Sequence, residues 1–293
     1  MFGRLKTYAS FVRVSHTVFA LPFALVGALL AARATPGAAP NALVNQWSWT
    51  RLAWIVACMV TARSAAMGFN RLADAAYDAR NPRTSMRELP SGKMSRGEAV
   101  AFVAVSTLLF LGAAWMVSPL CGALAPVAIG IIFWYSLAKR FTNYAQIFLG
   151  LSMAVAPVGG WIAMGGALNS APFLLGLAIG TWVAGFDILY ACQDLDVDRR
   201  EGLRSIPVKF GIAGSLRFSR ALHVITVASL AGVGVVLGLN LVYMAGVAGV
   251  AALLVYEQSL VRADDLSQVK RAFDLNGWVG MLYLAATIWA VRA

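Results

Sequence analysis

Apolar residues come in long runs along this chain, broken by short polar stretches. Windows of about 20 apolar residues, the length that crosses a bilayer, fall around 15–33, 52–69, 99–118, 120–137, 145–166, 172–192, 221–239, 241–258 and 273–291. The pattern predicts an all-α bundle of nine transmembrane helices. The third and fourth windows are divided only by Ser118-Pro119, and the seventh and eighth only near Asn240, so each pair could instead be one kinked span.

Composition and charge sharpen that picture. A chain of 293 residues that is 60% hydrophobic and 13% charged has too little polar surface for a soluble globule. Cytoplasmic loops collect Lys and Arg. With nine spans, every second connection does so: the N-terminus through Arg13, then 71–96, 139–140, 199–220 and 262–271 together hold twenty of the 24 basic residues. The other side keeps Arg33, Arg51 and Arg292, and merging either close pair would scatter this segregation. The N-terminus is therefore expected in the cytoplasm, the C-terminus outside, and the chain in the cytoplasmic (inner) membrane. The same placement accounts for the net charge of +11 without nucleic acid. The first window reads as a span rather than a cleaved leader, because eight similar ones follow. Cys58, Cys121 and Cys192 fall inside spans at no metal-like spacing and are expected to be small core residues.

None of the thirteen carboxylates falls in a predicted external loop, and two runs at cytoplasmic helix ends share a pattern: NRLADAAYD at 70–78 and DILYACQDLDVD at 187–198. Residues four apart stack on one helix face, so Asn70, Asp74 and Asp78 form one stripe, and Asp187, Asp194 and Asp198 another. Like charges so placed repel and need a positive partner. Mg2+ suits them, since it takes oxygen ligands and binds one or two carboxylates together with substrate phosphates; the plainer alternative is a solvated acidic rim balanced by nearby arginines. Asp74 and Asp194 are 120 residues apart, and each run is followed by a basic loop with proline. This suggests one domain over 1–293, with pseudo-repeats at about 15–140 and 145–260 plus a ninth helix at 273–291, around a cavity open to the cytoplasm. The Gly and Pro of those loops argue against long helices there.

Several basic residues could meet a diphosphate. Arg63 lies inside the second span, where arginine is costly and usually functional, two turns from Asn70 on the same stripe; it could take a diphosphate or a substrate carboxylate. Lys139 and Arg140, in YSLAKRFTNY, and Arg13 at the mouth of the first span are further substrate-binding candidates. His16 could touch an aromatic substrate or cap its span, and His223 is expected near a helix start with no role. Trp134, Tyr135, Trp161 and Trp182 read as interfacial belt residues, whereas Tyr190, inside the second acidic run, joins the binding candidates. GGWIAMGG at 159–166 reads as close helix packing or a kink. No phosphate loop, dinucleotide fingerprint, HExxH or zinc spacing is present.

At these residues the sequence resembles the UbiA-type superfamily of intramembrane prenyltransferases. The family's NDxxDxxxD motif stands here as Asn70-Arg71-x-x-Asp74-x-x-x-Asp78, followed by Arg83-Thr84 and Leu89-Pro90-Ser91-Gly92; its second region appears as Asp187, Tyr190, Asp194 and Asp198. Arg63 and YSLAKRFT resemble the 4-hydroxybenzoate polyprenyltransferase branch. The resemblance implies that Asn70, Asp74, Asp78, Asp194 and Asp198 hold Mg2+ against the diphosphate of a polyprenyl donor. It also implies that Arg63, Lys139 and Arg140 stabilise the departing charge and that Asp187 takes the ring proton. The acceptor would be an aromatic acid, 4-hydroxybenzoate, in respiratory quinone biosynthesis, with no obligate protein partner. One departure, Arg71 in place of Asp, together with RELPSG, resembles a subgroup whose members include enzymes of the futalosine route to menaquinone. It leaves 1,4-dihydroxy-6-naphthoate as an alternative acceptor. A transporter is disfavoured because the charges gather at one face rather than the midplane, and a CDP-alcohol phosphotransferase because its DGxxAR start is missing.

Overall fold

The computed structural model describes residues 7–8, 10–12, 20–34 and 49–292. Among these residues there is no strand and there are nine long helices: α1 Leu21–Ala34, α2 Trp49–Asp78, α3 Arg96–Val117, α4 Pro119–Ala138, α5 Ala145–Ala163, α6 Ser170–Ala191, α7 Ile206–Val236, α8 Leu241–Leu260 and α9 Val269–Arg292. Seven are long and apolar enough to cross a membrane. Of the other two, α1 is 14 residues over its described stretch, and α9 carries Lys270, Arg271, Asp274 and Asn276 in its first two turns. The protein is a multi-pass membrane protein.

Both close joins are true breaks. Ser118 is extended, with φ −166° and ψ 156°, its hydroxyl accepts from the Cys121 N–H at 3.1 Å, and Pro119 opens α4 where its missing N–H costs nothing. Asn240 caps α8 in the same way, accepting from the Tyr243 N–H. Two boundaries differ from the hydrophobic windows. Helix α2 runs unbroken through the first acidic run to Asp78. Helix α7 starts at Ile206 rather than 221, because Ser205 caps it and Pro207 suits a first turn. The expected interruption survives as a break at Gly211, whose φ of +67° a side chain would resist.

Helix α6 is the axis of the bundle. Fifteen of its 22 residues are buried, packed against α5 and α7. Phe23, Trp161, Trp182, Tyr243 and Tyr283 fill the core, while α3 and α4 turn Leu108, Leu109, Trp115, Leu120 and Val127 outward, the apolar exterior that lipid requires. Trp161 and Trp182 are therefore core residues and not belt residues. Each indole N–H finds a partner, as a buried one must: Ala167 C=O for Trp161 and Asn276 Oδ1 for Trp182, at 3.0 and 2.8 Å. His223 lies mid-helix in α7 rather than at a helix start, buried, with Nδ1 3.0 Å from Gln258 Nε2. In GGWIAMGG, Gly160 sits directly against the Ala24 carbonyl of α1, so close backbone packing is what it provides.

Candidate functional site

The last two turns of α2 present Asn70, Asp74 and Asp78 on one face. Asn70 Nδ2 donates to Asp74 Oδ2 at 3.2 Å. Arg140 approaches from the α4–α5 connection, with Nη2 3.9 Å from Asp74 Oδ1 and a hydrogen bond to the Ala73 carbonyl. After Asp78 the chain folds back. Thr84 Oγ1 donates to the Asp78 carbonyl at 3.1 Å, and Arg87 Nη1 lies 2.8 Å from both Asp78 carboxylate oxygens.

The second cluster follows α6. That helix ends at Ala191, tightens into a 3-10 turn over Cys192–Asp194, and resumes as a short helix over Leu195–Arg200. Asp194 receives Arg83 through Nη2 on both oxygens, at 3.0 and 2.7 Å, and through Nε at 3.2 Å. The same guanidinium donates from Nη1 to the Tyr190 hydroxyl at 3.1 Å, and the Tyr190 ring packs on Phe273. Lys139 Nζ stands 3.4 Å from both oxygens of Asp198, whose carboxylate is almost wholly buried.

Two side chains make the clusters a single electrostatic unit. Burial pulls the Lys139 ammonium down, but the charges of Asp198, Asp194, Asp187 and Asp74 outweigh it and hold it above the ordinary lysine range. Lys139 is thus a common neighbour of both acidic runs. Arg83 behaves likewise: burial opposes its charge, while Asp194, Tyr190 and Asp78 raise it overall. At the rim Arg80 Nε donates to Glu201 Oε2 at 2.7 Å, and that bond holds the Glu201 carboxyl below its usual value.

The other expected residues fall as follows. Arg63 lies on α2 with its Nε buried and without a hydrogen-bond partner. Asp187 occupies the last turns of α6, within the field of Lys139. Arg13 and His16 lie outside the described residues. Arg71 faces away from the stripe and pairs with Glu88 at 3.0 Å. Among the described residues no three His, Cys, Asp or Glu side chains form a ready-made cage for a metal ion; the carboxylates are held by basic side chains. Arg83 and Arg87 received no site role from sequence reasoning: Arg83 stood out only in the family-like Arg83-Thr84 after the first motif, and Arg87 only as an orienting charge.

The family model of the UbiA prenyltransferase family matches residues 20–284. The chain belongs to this family. It is 33% identical over 220 residues to the 4-hydroxybenzoate octaprenyltransferase of Alkalilimnicola ehrlichii, covering 75% of each chain. A UbiA homolog from Aeropyrum pernix K1 has the same fold with a TM-score of 0.83 at 32% identity, covering 94% of this chain and 98% of that one. A UbiA homolog from Archaeoglobus fulgidus, bound to GPP and Mg2+, shares the fold with a TM-score of 0.71 at 21% identity, covering 98% and 100%. As a UbiA prenyltransferase the protein is an enzyme, and its acidic clusters lie at the ends of α2 and α6, linked through the charges of Arg83 and Lys139.

Proposed function

We propose that this UbiA prenyltransferase transfers a polyprenyl group from a polyprenyl diphosphate to an aromatic acid, 4-hydroxybenzoate, with Mg2+, in respiratory quinone biosynthesis at the cytoplasmic face of the inner membrane. The observation that carries the reading is Lys139, 3.4 Å from Asp198 and held charged by Asp194, Asp187 and Asp74 as well. Carboxylates for a metal and cations for a diphosphate occur together, where membrane orientation alone would need only the cations. The names of the relatives support the acceptor, and the A. fulgidus relative bound to GPP and Mg2+ supports the donor.

The donor set fits magnesium. Asn70, Asp74, Asp78, Asp194 and Asp198 offer only oxygen, and Mg2+ takes one or two carboxylates alongside phosphate oxygens and water rather than an all-protein cage. Asp74 is the most accessible of the ion-paired four, with its carboxylate 33% exposed and Arg140 no nearer than 3.9 Å. Bound there, the metal would offset the charge of the departing diphosphate.

The chain's own residues do the remainder. Arg83, Lys139 and Arg140 donate N–H bonds to diphosphate oxygens, strengthening as the carbon–oxygen bond breaks. Arg63 lies about 10 Å deeper than Asn70 along α2, where its unpaired Nε can receive the acceptor's carboxylate. The allylic carbon bonds to the ring ortho to the phenolic hydroxyl, and the ring proton passes to Asp187. Tyr190, held by Arg83 and packed on Phe273, is a further substrate-binding residue.

Purified protein given Mg2+, a polyprenyl diphosphate and 4-hydroxybenzoate is expected to form the prenylated acid. EDTA should stop it, and Asp74→Asn or Asp194→Asn should slow it about 100-fold or more without loss of folded protein. Full turnover in both variants would sink the assignment of these clusters. Offered beside 1,4-dihydroxy-6-naphthoate, 4-hydroxybenzoate should be preferred; the opposite preference would replace the acceptor and leave the donor half standing.

A further inference from the structure

Arg71 is where the first acidic motif departs from the family pattern, and the structure gives that departure a partner. One step along a helix turns a side chain by about 100°, so position 71 leaves the face shared by Asn70, Asp74 and Asp78. Its guanidinium enters the protein instead: Arg71 is 4% exposed and its Nη1 donates to Glu88 Oε2 at 3.0 Å. The other oxygen of Glu88 accepts from Ser10 Oγ at 2.6 Å. Phe11, Met94 and Ala99, with Leu72 and Leu89 against them, form an apolar cluster beside the pair. Glu88 is the second residue of RELPSG, the other feature that marks the departure.

Glu88 belongs to the loop 79–95, which carries two of the arginines that reach the acidic clusters, Arg83 and Arg87. The loop is fixed to the end of α2 by Thr84 on the Asp78 carbonyl and to the side of α2 by Glu88 on Arg71. Arg87, next to Glu88, grips Asp78; Arg83, one residue before Thr84, reaches Asp194 and Tyr190. We propose that Arg71 and Glu88 form a strut that aims Arg83 and Arg87 at the diphosphate end of the site, making both positioning residues for the donor and not determinants of the acceptor. The proposal rests on the reading of these clusters as the diphosphate site. A buried ion pair suits the task because loss of one partner leaves the other charged and uncompensated in an apolar setting, so the loop must move when the pair is broken.

The test uses full-length protein in nanodiscs, with Arg71→Met, Glu88→Gln and the charge-exchanged double variant R71E/E88R. Amide hydrogen exchange across residues 79–95 is expected to quicken about tenfold or more in each single variant, and the exchanged pair to restore most of the protection. The KM for polyprenyl diphosphate should rise about tenfold in the single variants while the acceptor KM stays within about twofold. Loop exchange at the wild-type rate in both single variants overturns the proposal, as does a rise confined to the acceptor KM. Should Arg71→Met yield no folded protein, Glu88→Gln with the exchanged pair R71E/E88R carries the same two readouts and decides. Asp74→Asn runs alongside and should lose turnover with loop exchange unchanged. An active Asp74→Asn therefore marks failure of the diphosphate reading, and an unmoved loop in the strut variants marks failure of the strut.

Discussion

Arg83 Nη2 donates to Asp194 Oδ2 at 2.7 Å across a sequence separation of 111 residues. A loop that begins at the end of α2 is thereby fastened to the acidic turn that follows α6. The same side chain also feels Asp78, so one guanidinium lies between the two motifs. On the proposed function, a diphosphate entering there would meet a cation already aimed from the ends of two helices.

Replacing Arg83 separates charge from geometry. Arg83→Ala removes three bonds to Asp194 and one to Tyr190, and should lower kcat/KM for the donor about 100-fold, since bonds involving ionised groups count for about 1.5–3 kcal/mol each. Arg83→Lys keeps a charge but cannot reach Asp194 and Tyr190 together, so an intermediate loss of about tenfold is expected. Steady-state kinetics with varied donor decide; a lysine variant equal to wild type would mean that a point charge suffices.

Lys139 sets a prediction in pH. Its folded-state value is raised, by Asp198 first among the carboxylates and against the pull of burial. A raised cationic group gives its full stabilisation below the unfolded lysine value of about 10.4, and loses it only as pH climbs through the folded value. Thermal unfolding should then show no step traceable to Lys139 between about pH 7 and 10, and Lys139→Met should melt lower throughout that window, because Asp198 is left buried without its cation. A step in wild type near neutrality that Lys139→Met abolishes would contradict this.

The helices were legible because each signal was local. Long apolar runs give the spans, the segregation of basic residues divides the two doubtful joins, and a four-residue spacing puts Asp74 and Asp78 on one face. The pairings were not legible, for a physical reason. A basic residue in a cytoplasmic loop looks the same in sequence whether it only orients the chain or grips a carboxylate, and no periodicity links Arg83 to Asp194. Arg71 misled in the same way: adjacency to Asn70 suggested a place in the motif, whereas the helix turns it toward Glu88, 17 residues on. Isolated polar residues inside apolar runs hid a further network, in which Asn276 donates to Glu257 at 2.9 Å and accepts from Trp182 at 2.8 Å across three helices. Nothing local to any one of the three announces the other two.

Gly159 and Gly160 are neighbours in α5 with opposite prospects. A Cβ at Gly159 meets nothing within 4 Å, whereas one at Gly160 runs into the backbone of Ala24 in α1. Backbone on both sides leaves no flexible side chain to give way. Gly159→Ala should therefore be neutral or gain up to about 1 kcal/mol from helix propensity. Gly160→Ala must push α1 off α5 and should cost about 1–3 kcal/mol, as overpacking does. Melting in detergent, read beside the yield of folded protein, compares the two directly. Equal behaviour would show that α1 and α5 do not meet backbone to backbone at this point, and with that the seat of Phe23 against Trp182, centroids 4.8 Å apart, would lose its support.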